Sequence, residues 1–448
     1  MQNPETATSF FNIALLRAFI TRTWKSRFVR SVAVVASGTA GAQAITMAFS
    51  PVITRLYGPE AFGLLGVFMA MVQVLVPAAA LTYPIAIVLP KDDRDAMGLA
   101  RLAAYIALVL SFLVAAVILI GGESLMGRLG AREISGFALL LPLAMLFAAF
   151  AQIAKQWLIR KKQFHITARA EVAQALVTNT AKAGIGWFYP LAFVLILLST
   201  AGKAIHAGLL ALGIKGSWKA AARDDQEKES APSLWALAKM HYDFPLYRAP
   251  QVLINAISQN LPTMMLAAFF GPASAGFYAI CRRVMGLPSN LISRSVGEVF
   301  YPRITEAAHR GENLTRLILK ATLYLAAVGF VPFAVVVAFG PWLFGLVFGA
   351  EWTVAGEYAR WLAVMMFFFF INKPSVAAVP VLGLQRGLLI YELFSTGSKL
   401  IAIYIGAVLL KNDQLTIVIF SIFGAVAYIF LIAWIIILSK FHRKRLVS

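Results

Sequence analysis

Stretches of twenty or more mostly apolar residues, each closed by a short polar break, recur along almost the whole chain. They lie at roughly 31–54, 62–88, 97–120, 135–157, 167–186 and 188–212, then at 244–270, 274–300, 317–340, 355–382, 387–410 and 415–439. About twenty such residues in a helix cross the hydrocarbon of a bilayer. The expected fold is therefore all-α: a polytopic membrane protein of about 12 transmembrane helices. Composition excludes the soluble alternative, because 60% hydrophobic residues and 13% charged, with a mean hydropathy of +0.78, do not suit a soluble chain of 448 residues.

A net charge of +20 would suggest nucleic acid in a soluble protein. Its distribution points elsewhere. With the N-terminus inside, 27 of the 40 Lys and Arg fall in cytoplasmic segments, and only Arg55, Arg128, Arg132 and Lys411 fall in outer loops. That asymmetry is the positive-inside signature. It places both termini in the cytoplasm and leaves no nucleic-acid surface, since the basic residues are spread along the rim of separate loops. The N-terminal stretch with Arg17, Arg22, Lys25, Arg27 and Arg30 lacks the small-residue cleavage site of a signal peptide and reads as an interfacial helix.

The chain repeats itself. Tyr57-Gly58-Pro59 with Gly63 matches Phe270-Gly271-Pro272 with Gly276, and the apolar runs that follow end in Tyr83-Pro84 and Tyr301-Pro302. Further on, Leu129-Gly130-Ala131 matches Phe348-Gly349-Ala350, and Glu171 matches Glu392. Matches in the same order define two six-helix lobes related by an axis along the membrane normal. The expected organisation is a basic segment (1–30), a first lobe (31–212), a cytoplasmic linker (213–243), a second lobe (244–440) and a basic tail (441–448).

Polar stripes nominate the helices around a central lumen. In the span after Gly271, residues Arg282, Arg283, Gly286, Ser289, Asn290, Ser293, Arg294 and Gly297 share a sector of about 140° at 100° per residue. An Arg near the bilayer centre costs about 2.5–3.5 kcal/mol unless it meets a wet cavity or a partner. A hydrated, anion-attracting lumen is therefore the expected role of that face, against the plainer reading of arginines that snorkel or pair with a neighbouring helix. The first span offers Thr39, Gln43, Thr46 and Ser50. The seventh offers Arg248, Gln251, Asn255, Gln259 and Pro262. Glu171, Gln174, Thr178 and Lys182 form a stripe in the fifth, and Glu392, Ser395 and Lys399 in the eleventh. The lumen candidates are thus Arg282, Arg283, Arg294, Asn290, Arg248, Asn255, Gln259, Gln43, Lys373 and Lys399. Glu171 and Glu392 are candidates for carrying a coupling proton. Against these stands the plain role of hydroxyls and amides as glue between membrane helices.

The runs SPVITRLYGPEAFGLLGVF, YPIAIVLPKDDRDAMGLARL and GFYAICRRVMGLPSNLISRSVGEVFYPRI closely resemble bacterial oligosaccharide flippases. These are the Wzx-type O-antigen, capsule and exopolysaccharide exporters of the multidrug/oligosaccharidyl-lipid/polysaccharide superfamily. The resemblance extends from about residue 28 to 440. It implies a MATE-like pair of lobes in the bacterial inner membrane, alternating access, and an undecaprenyl-pyrophosphate-linked repeat unit as cargo, whose pyrophosphate or acidic sugars meet cationic lumen residues. Its implied partners are the lipid-linked oligosaccharide, membrane lipids, and polysaccharide polymerase and chain-length proteins.

Other readings fit less well. A cation-coupled multidrug exporter usually has a carboxylate in its first helix, where this chain has Gln43. Lipid II-type flippases commonly carry helices beyond twelve. A membrane polymerase or ligase needs a sizeable outer loop with reactive groups, and the outer loops here are short. The single cysteine, Cys281, excludes an intrachain disulfide and a multi-cysteine metal site. The five histidines match no zinc or triad pattern. A transporter without catalytic residues, cofactor or metal is expected.

Overall fold

Two glycines in a conformation that other residues avoid set the architecture. In the computed structural model Gly58 has φ 69° and ψ 173°, and Gly271 has φ 86° and ψ 173°. This region of backbone space is open essentially to glycine alone. Each glycine is followed by a proline that starts the next helical stretch, where a missing N–H costs nothing. The two halves of the sequence repeat thus turn in the same way at the same place.

The structure describes residues 27–128, 132–226, 233–295 and 300–447, with side-chain surroundings given for most of 37–286 and for 300–440. Helix α1 (Arg27–Ala79) runs through the first two expected spans, broken only at Gly58. After it come the short α2 (Tyr83–Ala86), α3 (Asp93–Arg128), α4 (Leu140–Arg160), α5 (Phe164–Gly186) and α6 (Ala192–Gln226). The second half holds the short α7 (Leu234–Met240), α8 (Ala249–Phe270), α9 (Pro272–Ser295), the short α10 (Tyr301–His309), α11 (Leu314–Phe348), α12 (Thr353–Ile371), α13 (Lys373–Leu382), α14 (Gln385–Ile405) and α15 (Asp413–Val447).

Among the described residues nine helices are long and apolar enough to cross a membrane. Counting α1 as two, and adding α5 and α9, whose polar faces lower their hydropathy, is consistent with twelve. Three boundaries differ from the sequence pattern. The second span ends at Ala79, because Leu81 and Thr82 take left-handed φ values of 48° and 58°. The tenth is split between α12 and α13 at Asn372. The sixth continues as helix to Gln226, well into the polar linker, since nothing before that point breaks it. Residues 1–26, which include most of the basic N-terminal segment, lie outside the described residues, as do 129–131, one member of the second repeat match.

Small residues let the helices approach closely, as membrane helices require. A Cβ at Gly38 of α1 would come within 2.3 Å of Ala168 Cβ on α5, and one at Gly213 within 2.3 Å of Ile166. The largest buried cluster gathers around Trp352, which is fully buried and meets Phe62 and Phe277 edge-on at 5.3 and 6.0 Å. The outward surface is apolar: Phe112 is 77% exposed and Ile120 88%, as suits a lipid-facing wall.

Candidate functional site

Helices α1, α5, α6, α8 and α9 surround a cavity of about 600 Å³. Its wall from the first half carries Thr39, Gln43, Thr46 and Gln73 on α1, Glu171, Gln174 and Lys182 on α5, and Ser199 on α6. The second half contributes Asn260 and Thr263 on α8, and Arg282 and Arg283 on α9. The expected lumen face of α9 therefore does look into a cavity as far as Gly286, while Met285 on the other side is buried. Asn290 and Arg294 lie outside the residues whose side chains are described.

The two adjacent arginines are held differently. Arg282 donates to the Gln259 backbone carbonyl (2.5 Å) and to Gln259 Oε1 (3.3 Å), and the Gln259 amide in turn donates to Asn255 Oδ1 (2.6 Å). A polar chain thus runs along α8 and pins Arg282 to it. Arg283, exposed to the cavity, has no side-chain partner among the described residues.

Among the described residues the cavity has one carboxylate, and it is already engaged. Glu171 accepts from Lys155 Nζ on α4 at 2.8 Å and from the Thr39 hydroxyl on α1 at 2.7 Å. Beyond Lys182 the space narrows to a pinch between Ser50, Asn179, Lys182 and Arg283. It then stops against Ile53 and Phe62, both buried. The Tyr57 hydroxyl donates to the Lys182 carbonyl (2.9 Å), and its ring packs on Gly186.

Past that blind end the two Gly-Pro turns grip each other. A Cβ at Gly63 would fall 1.7 Å from the Pro272 carbonyl oxygen, and one at Gly276 would fall 2.3 Å from that of Pro59. The contact is reciprocal, each repeat inserting its proline turn against the other's glycine. Hydrogen bonds reinforce it: Trp352 Nε1 donates to the Thr54 carbonyl (3.2 Å), the Thr54 hydroxyl to Phe348 O (3.3 Å), and Arg55 to Leu346 O (2.5 Å).

Three sequence candidates sit elsewhere. Arg248 is exposed at the start of α8 and donates to Gln251 at 2.9 Å. Lys373 heads α13 with its ammonium 3.4 Å from the centroid of Phe369. Lys399 donates to the Tyr428 hydroxyl at 3.1 Å and lies over that ring. None of the three lines the cavity, nor does Asn255, because aromatic or amide neighbours on their own or adjacent helices take up their polar ends. Glu392 is exposed on α14. Of the cationic residues that line the cavity, Lys182 is the one absent from the lumen candidates. Its signal was present: it lies three turns from Glu171 on the same stripe of α5.

An all-helical bundle of this connectivity, with a polar cavity between its halves, is the fold of a polytopic membrane protein. The structure is similar to an inward-facing multidrug resistance MATE family transporter of the MOP superfamily, with a TM-score of 0.67, 14% identity, and coverage of 90% of this chain and 96% of that one. It is also similar to the lipid II flippase MurJ in an inward closed conformation, with TM-score 0.65, 12% identity, and coverage of 89% and 87%. An outward-facing MATE transporter superposes less well, at TM-score 0.55 and 12% identity over 93% and 96%.

The chain belongs to the polysaccharide biosynthesis protein family, whose pattern it matches over residues 52–357. It is 20% identical over 339 residues to the succinoglycan biosynthesis transport protein ExoT of Rhizobium meliloti (strain 1021), a match covering 73% of this chain. The aligned part spans 63% of that relative's length.

Proposed function

We propose that this protein is a flippase that moves an undecaprenyl-pyrophosphate-linked oligosaccharide from the cytoplasmic to the outer leaflet of the bacterial inner membrane, for O-antigen, capsule or exopolysaccharide synthesis. Residues 31–212 and 244–440 act as two lobes joined by the 213–243 linker, with both termini in the cytoplasm. One observation carries the reading. Arg282, Arg283 and Lys182 face a cavity between the halves where the one carboxylate among the described lining residues, Glu171, is already neutralised by Lys155. Unneutralised cations in a membrane interior are costly, and an anionic headgroup offsets that cost when it binds. Guanidinium forks match phosphate oxygens.

In this orientation the cavity faces the cytoplasm, and the interlocked Gly58 and Gly271 turns close the outer side. The better superposition on an inward-facing relative supports the same state. Alternating access then requires that the turns part and the Thr39–Glu171 end closes. A proton on Glu171 or Glu392 is the proposed coupling step. The multidrug reading fits less well, since a cationic cavity repels the cationic compounds such pumps would carry, and Gln43 replaces a first-helix carboxylate. A polymerase or chain-length protein is the proposed partner on the far side.

The test is reconstitution. Purified protein in vesicles should move a fluorescent lipid-linked glycan across the bilayer without consuming or lengthening it. A lengthened glycan would make the protein a polymerase, and no movement at all would remove the flippase reading. In cells, a deletion should accumulate lipid-linked precursor on the inner leaflet.

A further inference from the structure

Resting on that reading, we propose that Asp413, Tyr358 and Ser274 are positioning residues of the outer seal. They form a three-way latch that fastens the Gly271-Pro272 turn to the rest of the second half, so that the turn meets the first half as one rigid piece.

One oxygen ties three helices together. Asp413 Oδ2, at the start of α15, accepts from the Tyr358 hydroxyl of α12 at 2.5 Å and from the Ser274 hydroxyl of α9 at 3.0 Å. Both donors are buried, Tyr358 at 1% exposure and Ser274 at 4%. The carboxylate is not needed to cap α15, because Asn412 Oδ1 already accepts from the Leu415 backbone N–H at 2.9 Å. Among the described residues Asp413 forms no ion pair, so hydroxyl groups are what hold it. Hydrogen bonds to an ionised acceptor are about twice as strong as neutral ones. Ser274 lies between Pro272 and Gly276, the two residues of α9 that meet the first half at the seal. Phe277 follows on the same helix, and its ring meets Tyr358 edge-on at 5.8 Å and Trp352 at 6.0 Å. Trp352 in turn donates to the Thr54 carbonyl of α1. Contiguous contacts therefore run from Asp413 to both sides of the seal.

The repeat shows that the latch is an addition to the fold. Ser274 follows Gly271 as Ala61 follows Gly58, Tyr358 follows Phe348 as Leu139 follows Leu129, and Asp413 follows Glu392 as Ala192 follows Glu171. Apolar residues stand in the first half where the second has a hydroxyl, a phenol and a carboxylate. Beside them Phe137 and Phe193 pack with ring centroids 5.7 Å apart. Apolar packing is thus enough to build this corner. The first half's turn is held from across the seal instead, through the Thr54 and Arg55 bonds to Phe348 O and Leu346 O. The second half's turn has its own fastening, and that fastening is directional. Apolar contacts tolerate sliding, whereas two hydrogen bonds to one oxygen fix the position of Ser274. A seal that depends on close backbone contact at Gly63 and Gly276 requires that positional accuracy.

The experiment asks whether a reagent outside the cell reaches the cavity. Met69 of α1 lines the cavity, and Met69→Cys is the reporter. Cys281, which is buried, stays in place, and the protein without the reporter gives the background. A membrane-impermeant maleimide is added to spheroplasts that contain the full-length protein. Labelling should be slow while the latch is intact. Tyr358→Phe and Asp413→Ala should each speed it about 10- to 100-fold, the scale of one charge-assisted hydrogen bond. Ser274→Ala should have a smaller effect, because its contact is longer, and Asp413→Asn, which keeps an acceptor oxygen, should fall between wild type and Asp413→Ala. Partners in one network are not additive, so Tyr358→Phe should add little to Asp413→Ala. Asn412→Ala removes the helix cap but not the latch, and should lower the unfolding midpoint of the purified protein without speeding the labelling. If Asp413→Ala does not accumulate in the membrane, Tyr358→Phe and Ser274→Ala carry the test. Labelling that is indifferent to these residues, additive in the double variant, or raised equally by Asn412→Ala overturns the latch, even if vesicles still flip lipid-linked glycan. Fast outside labelling with the latch intact removes the orientation given above, and the same variants then decide the latch with the reagent on the other side, in inverted vesicles. Latch-dependent labelling without any flipping supports the latch and removes the flippase reading instead.

Discussion

Helices α5 and α14 occupy equivalent places in the repeat, and both carry a carboxylate followed by a lysine on one face. Their fates differ. On α5, Glu171, Gln174 and Lys182 line a cavity. On α14, Ser395 is buried and Lys399 is stacked on Tyr428 of α15, its ammonium 4.4 Å from the ring centroid. The cause lies in the facing helix. Opposite α5, helix α1 offers small and polar side chains, Thr39, Gln43 and Thr46, which leave room for water. Opposite α14, helix α15 offers Tyr428 and fills the space. A polar stripe therefore announces only that a helix face is polar. Whether it is wet is decided by the neighbour.

The sharpest way to break this contrast is to neutralise the lysines. Lys182→Gln and Arg283→Ala should each lower glycan translocation about 10- to 100-fold, as expected for losing a charge-assisted contact of about 1.5–3 kcal/mol. Lys399→Gln should lower it less than about twofold, since it loses a cation–π contact of about 0.5–2 kcal/mol. All three variants are compared by vesicle assay at equal membrane levels. An inactive Lys399 variant present at wild-type level would show that the second half has a working lumen of its own.

A second prediction tests the seal beside the cavity. Gly63→Ala places a methyl against the Pro272 carbonyl, and overpacking of this kind costs about 1–3 kcal/mol. It should either lower the unfolding midpoint or hold the turns apart. In a Cys281→Ala, Thr54→Cys background, a membrane-impermeant thiol reagent applied outside should then label faster. Unchanged labelling together with an unchanged midpoint would refute the tight contact.

The same comparison bears on coupling. Glu171→Gln, which removes the charge that holds Lys155, should flatten the pH dependence of transport more than Glu392→Gln. Full pH dependence in the double variant would sink both as proton carriers.

The smallest effect is expected outside the membrane, where Arg303 donates to Glu312 at 2.6 Å. That partner holds the Glu312 carboxyl below its ordinary range. With a folded pKa below the unfolded one, any stabilisation is present above the unfolded value and is lost as pH falls through the folded value. Since the pair is solvent-screened, Glu312→Gln should leave the midpoint unchanged at neutral pH. A clear drop would mean that this loop bears on the bundle more than its exposure suggests.

Much of this was legible in the sequence, for physical reasons. Apolar length gave the helices. The paired Gly-Pro signals gave the repeat, because only glycine takes the backbone found at Gly58 and Gly271. Arg282 and Arg283, which line the cavity, stand out in sequence because a charge in an apolar run is costly and demands a reason. Lys182 was passed over as a site residue, although its stripe was noticed, because its exposure depends on what α1 and α9 place opposite it. Lys373 and Lys399 lie off the cavity for a reason equally hidden in sequence: the aromatic groups beside them, Phe369 and Tyr428, look like ordinary membrane-core residues. The pinning of Arg282, but not Arg283, needs the register between α8 and α9, which no local pattern encodes.

The contact between Pro59 and Gly276, mirrored by Pro272 and Gly63, is backbone against backbone. Such a closure offers nothing to protonate, and no salt can screen it. The forces that part it must arrive from a distance, through the rigid helices that carry the turns. Because the two prongs are mirror partners, neither can slip free while the other stays seated. The barrier behaves like a mortise joint that opens as a unit, so a half-open leak toward the far side of the membrane is geometrically disfavoured, and any side chain larger than hydrogen at either glycine jams it.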